Sequence, residues 1–408
     1  MRIGNRLIGV LAGCVVLLSM KGVIAQDSPQ WRGPNRNGIV NGFTAPQSWP
    51  KELTQKWKTT VGLGDSTPAL VGDKLYVFAR QGEDEIVLCL NAADGKEAWR
   101  DKYAVKGISG PASREHSGPR SSPAVAEGKV VTLGVTGVVS CLDAESGKVA
   151  WRNEEFKDVP RFYTSLSPVI VEGMAILHLG GQGKGAVVAF DLAAGKPKWT
   201  WNGDGPAYAS PVIMTVEGTK QFVSMTDKNI IGIDVADGKL LWQIPFAPQG
   251  MSYNAATPIV DGQTVIYTGQ GRGTKAVKVE KQGESFVPQE LWSNADLRTQ
   301  FNSPVLENGL LYGLSDRGNF FCLDAKTGKA AWTDAAKHGN YGNILDAGSV
   351  LLALPNNSEL SVFRPNDKQY EEVAHYKVAA TPTYASPIIS GNRIFVKDQD
   401  SVTLWTIE

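Results

Sequence analysis

Cys89-Leu-Asn-Ala-Ala-Asp-Gly95-Lys96-Glu-Ala-Trp99 decides the fold, because it recurs. Cys141–Trp151, Ala189–Trp199, Gly232–Trp242 and Cys322–Trp332 keep its register: Asp or Asn four residues before a Gly-Lys pair, Trp four after the Gly. Val279–Trp292 is a looser copy with a longer turn, and Phe363–Tyr376 has Tyr in place of Trp. Each copy makes sense as strand, turn and strand. Asp can bond its own downstream backbone, Gly supplies the positive φ that closes the turn, and Trp is a large apolar wedge on the return strand.

A second signal precedes each copy. Thr67-Pro68, Ser122-Pro123, Ser167-Pro168, Ser210-Pro211, Thr257-Pro258, Ser303-Pro304 and Ser386-Pro387 each open a short apolar run, and Gly342-Asn343 is an eighth, Pro-less copy. Proline is tolerated at the first residue of a strand, where no ladder donor is needed. A turn and a second apolar strand such as Leu75–Phe78 follow. One unit is therefore four antiparallel strands, and Trp57, Trp99, Trp151, Trp199, Trp242, Trp292 and Trp332 follow one another at intervals of 40 to 52 residues. Units of that length and make-up are propeller blades.

Eight strand starts are present, but the last unit stops after three strands. A spare strand, Leu53–Val61, carries Trp57 ahead of the first unit. Pairing it with the end of the chain completes an all-β, eight-bladed β-propeller of four-stranded antiparallel blades, its ring closed by an N-terminal strand. Closure also removes the open edges of an antiparallel array.

Composition agrees. Of 408 residues, 42% are hydrophobic and 20% charged, enough to bury a core and too apolar for disorder. Forty-four Gly and 22 Pro without a three-residue period exclude collagen and signal many turns. Arg2 and Arg6, the apolar run Leu7–Met20 and the small residues ending at Ala25 read as an export signal over residues 1–25. Leu11-Ala12-Gly13-Cys14 also matches a lipoprotein box, so a lipid anchor at Cys14 is the minority alternative to a soluble periplasmic or secreted protein. Residues 26–50 then form an extended N-terminal segment and 51–408 the propeller. Without residues 1–25 the chain holds 38 basic and 41 acidic side chains, a poor match for nucleic acid. Cys89, Cys141 and Cys322 share one repeat position and are expected to be small buried hydrophobes, not disulfides.

The Asp-x-x-x-Gly-Lys-x-x-Trp element resembles the tryptophan-docking motif of pyrroloquinoline-quinone (PQQ)-type repeats. That family includes quinoprotein dehydrogenases and the non-enzymatic outer-membrane assembly lipoprotein BamB. The resemblance covers residues 51–408 and implies Trp57, Trp99, Trp151, Trp199, Trp242, Trp292 and Trp332 as structural docking residues. Gln30–Gly38 is similar to the segment that opens many secreted PQQ-like proteins.

Little catalytic chemistry stands out. Gly180–Gly185 and Gly269–Lys275 look like phosphate loops, but they sit between strands where a phosphate loop opens a helix, so hairpin turns are the better reading. His116, His178, His338 and His375 lack metal-ligand spacing. His178 reads as a strand residue, and His116 as part of a solvated loop over Arg114–Arg120. No adjacent cysteines and no calcium-loop spacing appear. We therefore expect no catalytic residue, no metal and no cofactor. PQQ and calcium enter only under the alternative reading, a periplasmic quinoprotein dehydrogenase oxidising an alcohol or sugar.

The residues just before the Ser/Thr-Pro strands are more informative, since the first strand of a blade lines the channel and its leading residues ring one mouth. They are Asp65, Arg120, Tyr163 with Arg161, Tyr208, Tyr253 with Asn254, Phe301 with Asn302, Tyr341 and Tyr384. Aromatic and Arg side chains carry most interface energy. The expectation is an exported, monomeric, BamB-like scaffold that binds an envelope protein or small ligand at this mouth. Packing of the tyrosines between blades is the competing explanation.

Overall fold

The computed structural model describes residues 27–250 and 252–408; the expected export signal, with Cys14 inside it, lies outside them. Among the described residues, strands assemble into eight four-stranded antiparallel sheets, with one short helix, Pro111–Glu115. Blade one comprises Ala69–Val71, Lys74–Gln81, Asp84–Asn91 and Glu97–Ala104. Blades two to seven occupy 124–153, 169–203, 212–245, 259–294, 305–333 and 342–377. Blade eight takes Ile388–Ser390, Arg393–Lys397 and Ser401–Thr406, and its outer strand is Thr54–Thr60. Thr54 faces Thr406 and Thr60 faces Ser401, so the two ends of the propeller close the ring as expected.

The core lies between blades. Eight apolar clusters each span two neighbouring blades; Val131 and Leu133 of blade two, for example, pack with Ala175 and Leu177 of blade three. The repeat motif fastens these seams. The Trp99 indole donates to the carbonyl of Ala144 (3.3 Å) in the next blade, and a Cβ on Gly147 would lie 2.5 Å from its ring. Trp57 reaches Ala92 in the same way, Trp151 reaches Leu192, Trp199 reaches Val235, and Trp292 reaches Ala325. Gly is thus required twice at each turn, for positive φ and for the ring that covers it.

Trp242 departs from the pattern. Blade five replaces the Gly-Lys turn by two ten-residue strands, so there is no docking glycine, and the indole donates to Gln221 Oε1 (2.6 Å) in its own blade. Trp332 still reaches the degenerate turn of blade seven, at the carbonyl of Asn366 (2.9 Å).

The cysteines have a geometric explanation. Cys89, Cys141 and Cys322 stand directly opposite Trp99, Trp151 and Trp332, and Ala189, Gly232 and Ala276 hold the same place opposite Trp199, Trp242 and Trp292. A small residue leaves room for the indole, and the register slips by a bulge at the next residue. All three thiols are buried and free, and burial pushes the Cys89 thiol up to about 11.

Ahead of the first strand, the chain enters the central channel. Ser28 bridges Leu70 at the far end of blade one's first strand, and Val40 bonds Asp346 at the corresponding end of blade seven. Between them, residues 30–38 turn back inside the channel. The chain then crosses blades seven and eight, where Trp49 packs near Tyr376, whose hydroxyl donates to the carbonyl of Pro50 (2.8 Å).

Candidate functional site: the aromatic mouth of the channel

The Ser/Thr-Pro residues build a collar. The Thr67 amide donates to Ser122 Oγ, Ser122 to Ser167, Ser167 to Ser210, Thr257 to Ser303, and Ser386 to Thr67, all between 2.8 and 3.0 Å. In these five links a hydroxyl beside a proline satisfies an amide of the preceding blade, whereas the Thr257 hydroxyl accepts from Trp31. These links fix where the residues ahead of each strand emerge.

What emerges is a funnel of about 330 Å³. Its wall is aromatic and falls into two arcs. Phe162, Tyr208 and Tyr253 meet edge to face or tilted, with ring centres 5.1–6.2 Å apart. Opposite them Phe301 stacks on Tyr341 (4.4 Å), which meets Tyr384 edge-on (5.4 Å). All six rings are only half-buried, so each keeps a surface towards the funnel. Volume and lining suit a small-molecule or side-chain site. The floor is Trp31, whose indole donates to Thr257 Oγ1 (3.0 Å).

One corner is polar. His116 Nδ1 lies 2.7 Å from Asp65 Oδ2, and its ring stands edge-on to Tyr384 at 4.8 Å. The hydrogen bond to Asp65 raises the His116 pKa above that of a free imidazole, against the opposing effect of burial. Arg120 donates to the carbonyls of His116 (2.9 Å) and Phe162, tying the loop after blade one to the lip of blade three. Behind Asp65, buried Lys397 donates to the carbonyl of Gly64 (2.6 Å), and burial pulls its pKa down to about 8.

Of the residues picked out in the sequence, Asp65, Arg120, Tyr208, Tyr253, Phe301, Tyr341 and Tyr384 line the funnel together. Asn254 and Asn302 do not: each is 1% exposed. Asn254 donates to the carbonyls of Thr226 and Phe246, and Asn302 holds Gly342 and Leu314, so both amides brace the backbone behind the wall. Tyr163 turns outward on a positive φ and exchanges hydrogen bonds with the backbone of Ser109, while exposed Arg161 lies over the Phe162 ring. His116, expected in a solvated loop, is instead part of the polar corner, because Asp65 and Tyr384 draw it in. Trp31 and Lys397 were missed. A lysine closing the apolar strand Arg393–Lys397 is a signal that could have found the second; nothing in the sequence brings Trp31 to Thr257.

Gly180–Gly185 and Gly269–Lys275 are hairpin turns, as expected, and His178 lies on a strand. Among the described residues no group of three His, Cys, Asp or Glu is placed to hold a metal ion. The funnel's one carboxylate, Asp65, is already engaged by His116. This donor set does not fit a calcium ion, which takes six to eight oxygens.

An eight-bladed propeller with interblade tryptophan docking, a hydroxyl collar and an aromatic mouth defines the class: a PQQ-type repeat protein. Within it, a profile described as outer membrane protein assembly factor BamB matches residues 83–334, and the chain belongs to that family. It is 28% identical over 259 residues to the outer membrane protein assembly factor BamB of Xanthomonas campestris, covering 59% of this chain and 60% of that relative's length. The crystal structure of BamB from Moraxella catarrhalis superposes with a TM-score of 0.64 at 15% identity, over 87% of this chain and 98% of the other. Quinohemoprotein alcohol dehydrogenase from Comamonas testosteroni gives 0.69, also at 15%, over 93% and 80%. At such identities the two structures speak for the fold alone.

Proposed function

We propose that the protein is an exported, non-catalytic propeller that serves as a BamB-like scaffold in the cell envelope, holding its partner at the aromatic mouth. The family supports the first half of this reading. The observation that carries the second is the funnel: six half-buried aromatic rings converge on a blind pocket anchored by a hydrogen-bonded collar. Rings placed only to seal blades would be covered; these keep free surface, and aromatic anchors on a rigid frame suit the centre of an interface.

The partner, on this reading, is a component that assembles outer membrane proteins, engaged by a monomeric periplasmic scaffold. Deleting the gene in its host should lower the abundance of outer membrane proteins in purified envelopes, and the wild-type gene should restore it. Unchanged envelopes would count against the reading. Dye-linked alcohol or sugar oxidation by purified protein supplied with PQQ and calcium would turn it towards the quinoprotein alternative.

A further inference from the structure

Residues 27–40 form a cork, and its contacts are unlike those of the rest of the fold. It touches the first strands of seven blades, or the residues leading into them, by hydrogen bonds. Ser28 pairs with Leu70, the carbonyl of Pro29 accepts from Val125, and Trp31 reaches Thr257. Gly38 and Val40 bond Asp346. Two arginines make the central contacts. Arg36 donates to the carbonyls of Ser167, Pro168 and Pro211 at 2.7–3.1 Å. Arg32 donates to those of Ser303 (2.7 Å) and Pro304 (2.6 Å). Both arginine residues are 3% exposed, and every acceptor they use is a backbone carbonyl oxygen except the side-chain amide oxygen of Gln30, which Arg36 also reaches.

The physical logic is that of an edge. The inner edge of each first strand faces the channel with no neighbouring strand, so its carbonyls need donors. A guanidinium is a planar fork of five donors and can serve two adjacent blades at once. Arg32 and Arg36 also hold positive φ values of 60° and 57°, a conformation L-residues adopt only when surroundings impose it. Yet the ring does not need the cork to close, since the closing strand Thr54–Thr60 lies downstream of it. In the interblade clusters the cork supplies one partly buried side chain, Val40. Both its ends lie at the far ends of first strands, so it can withdraw through the face opposite the mouth without threading.

We propose that the channel is a binding site for an Arg-x3-Arg loop, and that residues 27–40 of this chain are its resident, exchangeable ligand. Because Trp31 at the tip is the floor of the funnel, withdrawal opens the blind mouth into a through-channel.

The test uses the full chain with a protease site inserted between Asn41 and Gly42, both exposed. After cleavage, the N-terminal fragment should stay with the ring through gel filtration. A labelled peptide of residues 27–41 should then exchange into it. A peptide carrying Arg32→Lys and Arg36→Lys should compete on the order of tenfold more weakly or worse, since lysine lacks the fork. A labelled peptide that never enters, or a ring that unfolds as the fragment is displaced, overturns the proposal. Hydrogen exchange on the unaltered chain gives an independent reading. The amides of Ser28, Gly38 and Val40 should open together well before the blade strands; exchange only through global unfolding makes the cork part of the core and refutes it.

Discussion

Gly147 and Gly128 have the same φ of 71°, but only Gly147 lies under a tryptophan of the neighbouring blade; a Cβ on Gly128 meets nothing. Gly128→Ala should therefore cost about 1 kcal/mol, the strain of placing a Cβ at positive φ. Gly147→Ala adds a collision with Trp99 and should cost clearly more, about 2–4 kcal/mol, since the ring must leave its seat. Urea denaturation of both variants checks this, and equal losses would contradict the docking role. Half-buried His116 and fully buried His178 make opposite predictions. His116 has a raised pKa in the folded state through Asp65, so its stabilising effect is complete below about 6.5 and fades as pH climbs through the raised value. His178 is pulled down to about 4 by burial, so its stability contribution is complete above about 6.5 and is lost as pH falls towards 4. In histidine NMR, Asp65→Asn should lower the His116 midpoint and leave His178 unchanged. Asp65, Arg120, Phe301 and the four mouth tyrosines were legible because the repeat marks their position on the strand. Asn254 and Asn302 were not, because position alone does not say which way a loop side chain turns.

Among the elements, the collar has the most direct energetic signature. Ser167 Oγ accepts the amide of Ser122 in the neighbouring blade, and both residues are buried. Ser167→Ala leaves that amide without its acceptor and should cost about 1–3 kcal/mol, whereas Ser167→Thr keeps the hydroxyl and should largely spare it. Thermal melts of the pair decide. The sequence showed a hydroxyl residue before every strand-opening proline, but the proline alone accounted for the strand start. The hydroxyl's role lies in the adjacent blade and became visible only with the ring assembled. Blade five shows the converse: its lengthened hairpin was evident from the spacing before Trp292, and it explains why Trp242 turns to Gln221. The closing strand was legible for a simple reason, that three strands at one end of the chain and a spare one at the other complete a blade.

For the molecule as a whole, the interblade placement of the apolar clusters predicts cooperative loss. Deleting residues 26–62 strips the outer strand from blade eight and removes the cork as well. The whole ring should then melt earlier and over a broader range, not merely lose a tail. A melt that matches the intact protein would contradict ring closure by Thr54–Thr60. The central claim, however, is that the mouth is where an envelope scaffold holds its partner. The most direct measurement returns a Tyr208→Ala, Tyr384→Ala double variant to a strain lacking the gene. Envelope content of outer membrane proteins is read beside a thermal melt of the purified variant. The account predicts a protein that melts close to wild type and fails to restore the envelope. A folded variant that restores it fully would contradict the claim, as would one that fails only because it has unfolded.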